Sequence, residues 1–212
     1  MGQRVTARRA ASTLPALVES MRPLQWARNA FVLTALIFDK KVFDLPAVLR
    51  VSFAFGLFCL VASGVYMLND VLDIERDRQH PTKQRRPLAS GRLPVAVGSI
   101  AAAALLVAGA GLGFCLRWEL GAILLAYVLV NIAYSLWMKH IVVLDTFAIA
   151  SGYVLRVAAG AAAVVVERFS PWLYVFTLLF AMMVSLAKRR HELQLLAGNA
   201  GSHRNSLTAY NM

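Results

Sequence analysis

Three aspartates at the end of one apolar run carry the sharpest chemical signal in the chain. The stretch Asn69-Asp70-Val71-Leu72-Asp73-Ile74-Glu75-Arg76-Asp77 sets Asp70, Asp73 and Asp77 at i, i+3 and i+7, which on one helix line a single face. Like charges so placed repel unless a cation lies between them. Oxygen-only ligands suit a hard ion, and Mg2+ takes one or two carboxylates and completes its octahedron with water and phosphate oxygens. The three aspartates are therefore candidate metal ligands in a site for a diphosphate-bearing substrate, with Asn69 as a neighbouring substrate contact. A solvated helix end of alternating charge is the plainer reading, since Glu75, Arg76 and Arg78 are adjacent. Ionisable residues at membrane depth are costly, however, and usually functional.

The chain continues through His80-Pro81-Thr82-Lys83-Gln84-Arg85-Arg86-Pro87-Leu88-Ala89-Ser90-Gly91. Lys83, Arg85 and Arg86 suit phosphate oxygens, the arginines in bidentate fashion. Pro81, Pro87 and Gly91 are placed to turn them back over the carboxylates. A second group, Tyr134, Lys139, Asp145 and Arg156, falls at or near helix ends of the other half of the chain. Arg156 stands inside an apolar run and needs either a partner, for which Asp145 is a candidate, or an anionic ligand. Lys188, Arg189, Arg190, His191 and Glu192 end the last apolar run, as snorkelling anchors or as further anion ligands. The four histidines lack metal-ligand spacing, so zinc is not expected.

The elements that must position these residues are membrane helices. Of 212 residues 59% are hydrophobic, and the mean hydropathy of +0.61 is too high for a soluble domain. Apolar runs at 29–43, 48–71, 95–116, 120–138, 142–166 and 171–187 give about six spans, the first interrupted by Asp39, Lys40 and Lys41. The fold expected is an all-α, polytopic transmembrane bundle. Small residues, including Gly109, Gly111, Gly113 and Gly160, are expected to let the helices approach closely. Cys59 and Cys115 read as small buried hydrophobes. A net charge of +11 would suggest nucleic-acid binding in a soluble protein. Here the basic residues occupy alternate loops, which places those loops and both ends of the chain in the cytoplasm and the protein in the plasma membrane. No secretory signal peptide is apparent.

The Asn69-Asp70-x-x-Asp73-x-x-x-Asp77 run at the end of the second span resembles the first signature of the UbiA-type prenyltransferase superfamily, and the resemblance extends from about Met21 onward. It implies a bundle of nine helices around a cavity open to lipid, with Mg2+ bridging the Asp-rich motif and a diphosphate. Residues 1–21 are then a cytoplasmic tail, and 22–212 a transmembrane domain expected to be incomplete at its C-terminus. Three further segments resemble the branch of the superfamily that transfers phosphoribose: Arg22-Pro23-Leu24-Gln25-Trp26-Ala27-Arg28-Asn29, His80 through Pro87, and Lys188 through Leu193. They add Arg22, Gln25, Arg28, Asn29 and Glu192 to the expected substrate contacts. Aromatic prenyltransferases of the superfamily carry a second Asp-rich motif where this chain has Lys188, Arg189 and Glu192.

The implied reaction moves 5-phosphoribose from phosphoribosyl diphosphate to a polyprenyl phosphate such as decaprenyl phosphate. Asp70, Asp73 and Asp77 would hold the Mg2+, while Lys83 and Arg86 would help to neutralise the leaving diphosphate. Two rival readings stand beside it. One is transfer of an isoprenoid from its diphosphate to an aromatic or lipid acceptor, and the other is a non-enzymatic membrane module that binds lipid phosphate.

Overall fold

The computed structural model describes residues 13–138, 141, 144–164 and 170–196, with the side chains of 189 and 191–196 outside that description. Every regular element among the described residues is helical. Residues 13–21 form α1, and a 3-10 helix, Pro23–Leu33, leads into the short α2, Thr34–Phe38. There follow α3 (Leu45–Leu72), α4 (Ile74–Gln79), α5 (Val95–Leu116), α6 (Trp118–Leu136), α7 (Leu144–Val164) and α8 (Pro171–Leu196).

Five of these helices are long and apolar enough to cross a membrane: α3, α5, α6, α7 and the Pro171–Lys188 part of α8. The first of the six expected spans is built differently. Its residues lie in the 3-10 helix and α2, and the run stops at Asp39, where the chain turns through Lys40 in the left-handed region (φ 55°). Polar contacts show how it lies on α3. Arg22 meets Asp70, Trp26 meets Ser63 and Asn29 meets Cys59, so the run descends antiparallel to α3. Seven residues of it keep pace with eleven of the α-helix, as the larger rise of 3-10 geometry, about 2.0 Å per residue against 1.5, requires.

Sequential antiparallel packing of α3 on α5, α5 on α6, α6 on α7 and α7 on α8 makes the bundle, and α7 also closes against α3 and the 3-10 helix. The main core joins Val32, Leu57, Phe58, Val61, Leu124 and Tyr127 with their neighbours. Small residues set the close approaches. A Cβ at Gly160 would overlap the Val32 carbonyl oxygen, and one at Gly109 would run into Val61. Gly111, expected in the same role, instead faces open space. Cys59 is buried as expected, whereas Cys115 is exposed on α5, among large apolar side chains such as Phe114 and Leu112 that face outward where lipid would lie.

A smaller core carries the segment between α4 and α5. Leu88 and Leu93 are fully buried with Ala16 of α1, Met67 of α3 and Ala102 of α5. Gly91 supplies the positive φ (77°) that the turn between them requires. Arg92 then ties the segment to α1 by two hydrogen bonds to Glu19, at 2.7 and 2.8 Å, and donates to the Arg85 carbonyl at 2.8 Å.

Candidate active site

The site forms where α3 ends. The single helix expected through the three aspartates is interrupted: Asp73 (φ −99°, ψ 13°) closes α3 and opens α4. That break gathers two carboxylates and sets the third aside. Asp70 and Asp77 are 4% and 3% exposed. Arg86 Nη1 donates to Asp70 Oδ1 at 3.1 Å and to Asp77 Oδ2 at 2.6 Å. Arg22 Nη2 donates to the same Asp70 oxygen. Asp73 lies nearer solvent, with Arg76 at 3.6 Å. The cation required between the aspartates is thus a guanidinium in this structure.

Each arginine is held from behind. Arg22 adopts the left-handed conformation (φ 54°) immediately before Pro23 and lays its guanidinium over the Tyr66 ring at 5.2 Å. Arg86 follows the 3-10 turn Lys83–Arg85, which His80 Nδ1 caps by accepting from the Thr82 and Lys83 amides. The buried Leu88–Leu93 stretch and the Arg92–Glu19 clamp fix the remainder of that segment. The Arg92 guanidinium holds the Glu19 carboxyl below its ordinary range. Lys83 and Arg85 are exposed and make no ion pair with the aspartates.

The other expected residues divide. Asn69 accepts from Ser135 Oγ, which joins the end of α6 to the site, and Tyr134 OH donates to Asp145 Oδ1 at 3.0 Å. Gln25, half-buried, and Arg28, exposed, lie on the 3-10 helix. Asn29 and Arg156 meet each other deeper in the bundle. Arg156 Nε donates to Asn29 Oδ1 at 2.8 Å, Nη1 to the Gly152 carbonyl and Nη2 to Tyr127 OH. The rings of Phe58, Tyr127 and Tyr153 surround the guanidinium at 5.0 to 5.4 Å. The pairing of Arg156 with Asp145 is therefore not made: the two stand three turns apart on α7, and Asp145 turns to Tyr134. Lys188 is exposed on α8, which packs on α7, and it makes no ion pair with Asp70, Asp73 or Asp77. Lys139 and the side chains of Arg189 and Glu192 lie outside the described residues.

Sequence reasoning missed Tyr66, Ser63, Ser135, Glu19 and the aromatic cage of Arg156. Tyr66 alone left a trace, one helical turn before Asp70. The others look like ordinary core or surface positions.

Two buried carboxylate oxygens that already share a cationic donor are a donor set of the kind Mg2+ takes, hard and anionic, with phosphate oxygens and water to fill the octahedron. Among the described residues no three His, Cys, Asp or Glu side chains gather as a metal cluster. Asp70 and Asp77 are thus the pair that fits the ion.

A bundle of membrane-crossing helices with a cluster of buried acids and guanidiniums at one end defines a polytopic membrane protein with a charged site. Residues 30–209 match the UbiA prenyltransferase family, and the chain belongs to that family. It is 34% identical over 200 residues to the decaprenyl-phosphate phosphoribosyltransferase of Mycolicibacterium smegmatis, covering 92% of this chain and 62% of that protein. It is 33% identical over 198 residues to the enzyme of the same name from Corynebacterium glutamicum, covering 92% and 59%. The chain therefore spans about three fifths of the length of these curated relatives. A solved UbiA homologue from Archaeoglobus fulgidus, bound to DMAPP and Mg2+, shares the fold with a TM-score of 0.71 at 17% identity, covering 87% of this chain and 66% of that one.

Proposed function

We propose that this chain carries the donor site of a membrane-embedded transferase that moves 5-phosphoribose from phosphoribosyl diphosphate to a polyprenyl phosphate such as decaprenyl phosphate. The observation that carries the reading is the pairing of Asp70 and Asp77 through Arg86, with Arg22 on the same oxygen. Two carboxylates with two guanidiniums offer both halves of a metal–diphosphate site. The similarity to phosphoribosyltransferases over 92% of the chain supports phosphoribosyl diphosphate as the donor.

Asp70 and Asp77 would hold the Mg2+, which would supply positive charge to neutralise the departing diphosphate. Arg22 and Arg86 take phosphate oxygens of the same group, and the exposed Lys83 and Arg85 draw the polyanion in from solution. A phosphate oxygen of the lipid attacks the anomeric carbon of the ribose as the bond from that carbon to the diphosphate oxygen breaks. No strong general base is needed, because a phosphate monoester is already largely ionised at pH 7. The acceptor phosphate is held by further cations, with Lys139, Lys188 and Arg189 as the candidates from the sequence. The end of the bundle that carries Asp70 and Asp77 faces the cytoplasm, since the basic segment Arg76–Arg92 lies on its side.

The test is transfer of label from phosphoribosyl diphosphate into the lipid phase by membranes containing the chain, alone and extended to the full length of its relatives. Mg2+-dependent label that EDTA removes and Asp77→Asn abolishes is expected. No label from the extended chain, together with reaction of a prenyl diphosphate and an aromatic acceptor, overturns the phosphoribosyl reading in favour of prenyl transfer.

A further inference from the structure

Arg86 stands where a metal ion would have to stand. A single guanidinium nitrogen spans Asp70 Oδ1 and Asp77 Oδ2, and Arg22 takes the Asp70 oxygen as well. Both acids are almost fully buried and each is met by a partly exposed guanidinium, so that two acids and two bases form a neutral group. A divalent ion arriving alone meets oxygens already engaged by positive charge, and it cannot join them without adding two units of charge to a buried cluster. A diphosphate changes that balance. It brings enough negative charge to match the metal, and it offers Arg86 a bidentate partner of the same geometry as the carboxylates.

The segment bearing Arg86 is built to allow such an exchange. Its backbone is anchored by the buried Leu88 and Leu93 and by Arg92 on Glu19, so a side-chain swing needs no movement of the anchor. Arg86 itself is only partly buried, unlike the two acids it bridges.

We propose that Arg86 is an exchangeable counter-ion: it closes the Asp70–Asp77 pair in the substrate-free protein and transfers to the diphosphate when substrate arrives, so that metal and diphosphate load together. This rests on the metal–diphosphate reading of the site and adds to it an order of binding. Mg2+ alone is then a poor ligand, and the carboxylates are kept from binding cations while no donor is present.

The experiment measures protein-bound Mn2+, as a stand-in for Mg2+, by equilibrium dialysis of the full 212-residue chain in nanodiscs, with and without pyrophosphate. Wild type, Arg86→Met, Arg86→Lys and a distant control, Arg50→Gln, are compared, with thermal unfolding of each to confirm folding. If the closed arrangement outweighs the open one by about tenfold, the apparent affinity for free metal is lowered by the same factor. The expected result is weak Mn2+ binding by wild type and by Arg50→Gln that pyrophosphate strengthens about tenfold, and tighter binding of the metal alone by Arg86→Met. Arg86→Lys, with one ammonium in place of the planar fork, falls between them. Wild type binding Mn2+ alone as tightly as Arg86→Met, with no added effect of pyrophosphate, overturns the proposal while leaving the metal site intact. Should no variant bind Mn2+ even with pyrophosphate, the metal–diphosphate reading itself fails, and the proposal with it. The wild-type comparison stands even if both Arg86 variants misfold.

Discussion

Arg156 Nε donates to Asn29 Oδ1 at 2.8 Å across 127 residues of sequence, inside the apolar core of the bundle. Asn29 turns its other amide atom to Cys59, and the guanidinium sits among three aromatic rings. No carboxylate within the described residues pairs with it. The charge is held by dipoles and ring faces alone, and the same contacts fasten the 3-10 helix to α3 and α7. Arg22 is seven residues upstream, immediately before that helix, so this buried contact helps to set the level at which Arg22 meets Asp70.

Removing one member of the Arg156–Asn29 pair is therefore expected to cost more than removing both. Asn29→Leu strips the guanidinium of a partner in a buried setting and should destabilise by about 1–3 kcal/mol. Asn29→Leu combined with Arg156→Met takes away the charge that needed the partner, and it should recover part of that loss. Thermal unfolding of the purified variants in detergent, analysed as a double-mutant cycle, reads the coupling. Strictly additive effects would show that the two side chains do not depend on each other.

The close approach of α7 to the 3-10 helix gives a second expectation. Gly160→Ala places a methyl group against the Val32 carbonyl, a backbone atom that cannot rotate aside. A loss of about 1–3 kcal/mol follows from overpacking. Gly111→Ala, which meets nothing, should be neutral or stabilising by about 0.5–1 kcal/mol through helix propensity. Equal effects from the two substitutions would mean that the 3-10 helix is not packed against α7 at this point.

The sequence made the acids legible because carboxylates at the end of an apolar run have few other reasons to be there. It could not show which two would pair. That goes with Asp73 taking a non-helical ψ and with Arg86 returning over the pair, neither of which leaves a local pattern. The bundle was legible from hydropathy, yet the first span was not, since the 3-10 geometry of Pro23–Leu33 leaves no periodicity distinguishable from an α-helix at this length. Arg156 was visible as an anomaly, but its partner was misjudged. Asp145 shares its helix and its charge suits, whereas Asn29 is distant in sequence and neutral. Long-range contacts of that kind leave no local pattern.

The Glu19–Arg92 clamp should respond to acid. Its hydrogen bonds to Arg92 lower the folded-state pKa of Glu19, so the stabilisation is complete above the ordinary carboxylate value of 4.5 and is lost as pH falls below it toward the folded value. Arg92 is shifted upward, which matters only in strong alkali. The pair is half exposed, so its contribution is expected to be below about 1 kcal/mol. Wild type is expected to show faster proteolysis of the 80–94 segment under acid, and Glu19→Gln should reproduce it at neutral pH. Unchanged cleavage in Glu19→Gln would assign the anchoring to Leu88 and Leu93 alone.

The three aspartates should not be equivalent in activity. Asp70 and Asp77 are buried and share Arg86, with Arg22 on Asp70 as well, and replacing either with asparagine removes a charge that these guanidiniums pair with and that the proposed metal ion would need. Transfer of phosphoribose should fall by about 100-fold or more in each case, the scale seen when a preorganised electrostatic group is lost. Asp73 stands off the pair, nearer solvent and beside Arg76, a place suited to orienting water or the α3–α4 break. Asp73→Asn should cost nearer tenfold, the lower end of effects from groups that support metal ligands. Raising Mg2+ should rescue part of the Asp73→Asn loss and none of the Asp70→Asn loss if, as proposed, Asp70 holds the ion and Asp73 does not. If instead Asp73→Asn is the most damaging of the three, the working site must draw Asp73 inward beside the other two, and α4 must rotate about the break at Asp73 when substrate binds.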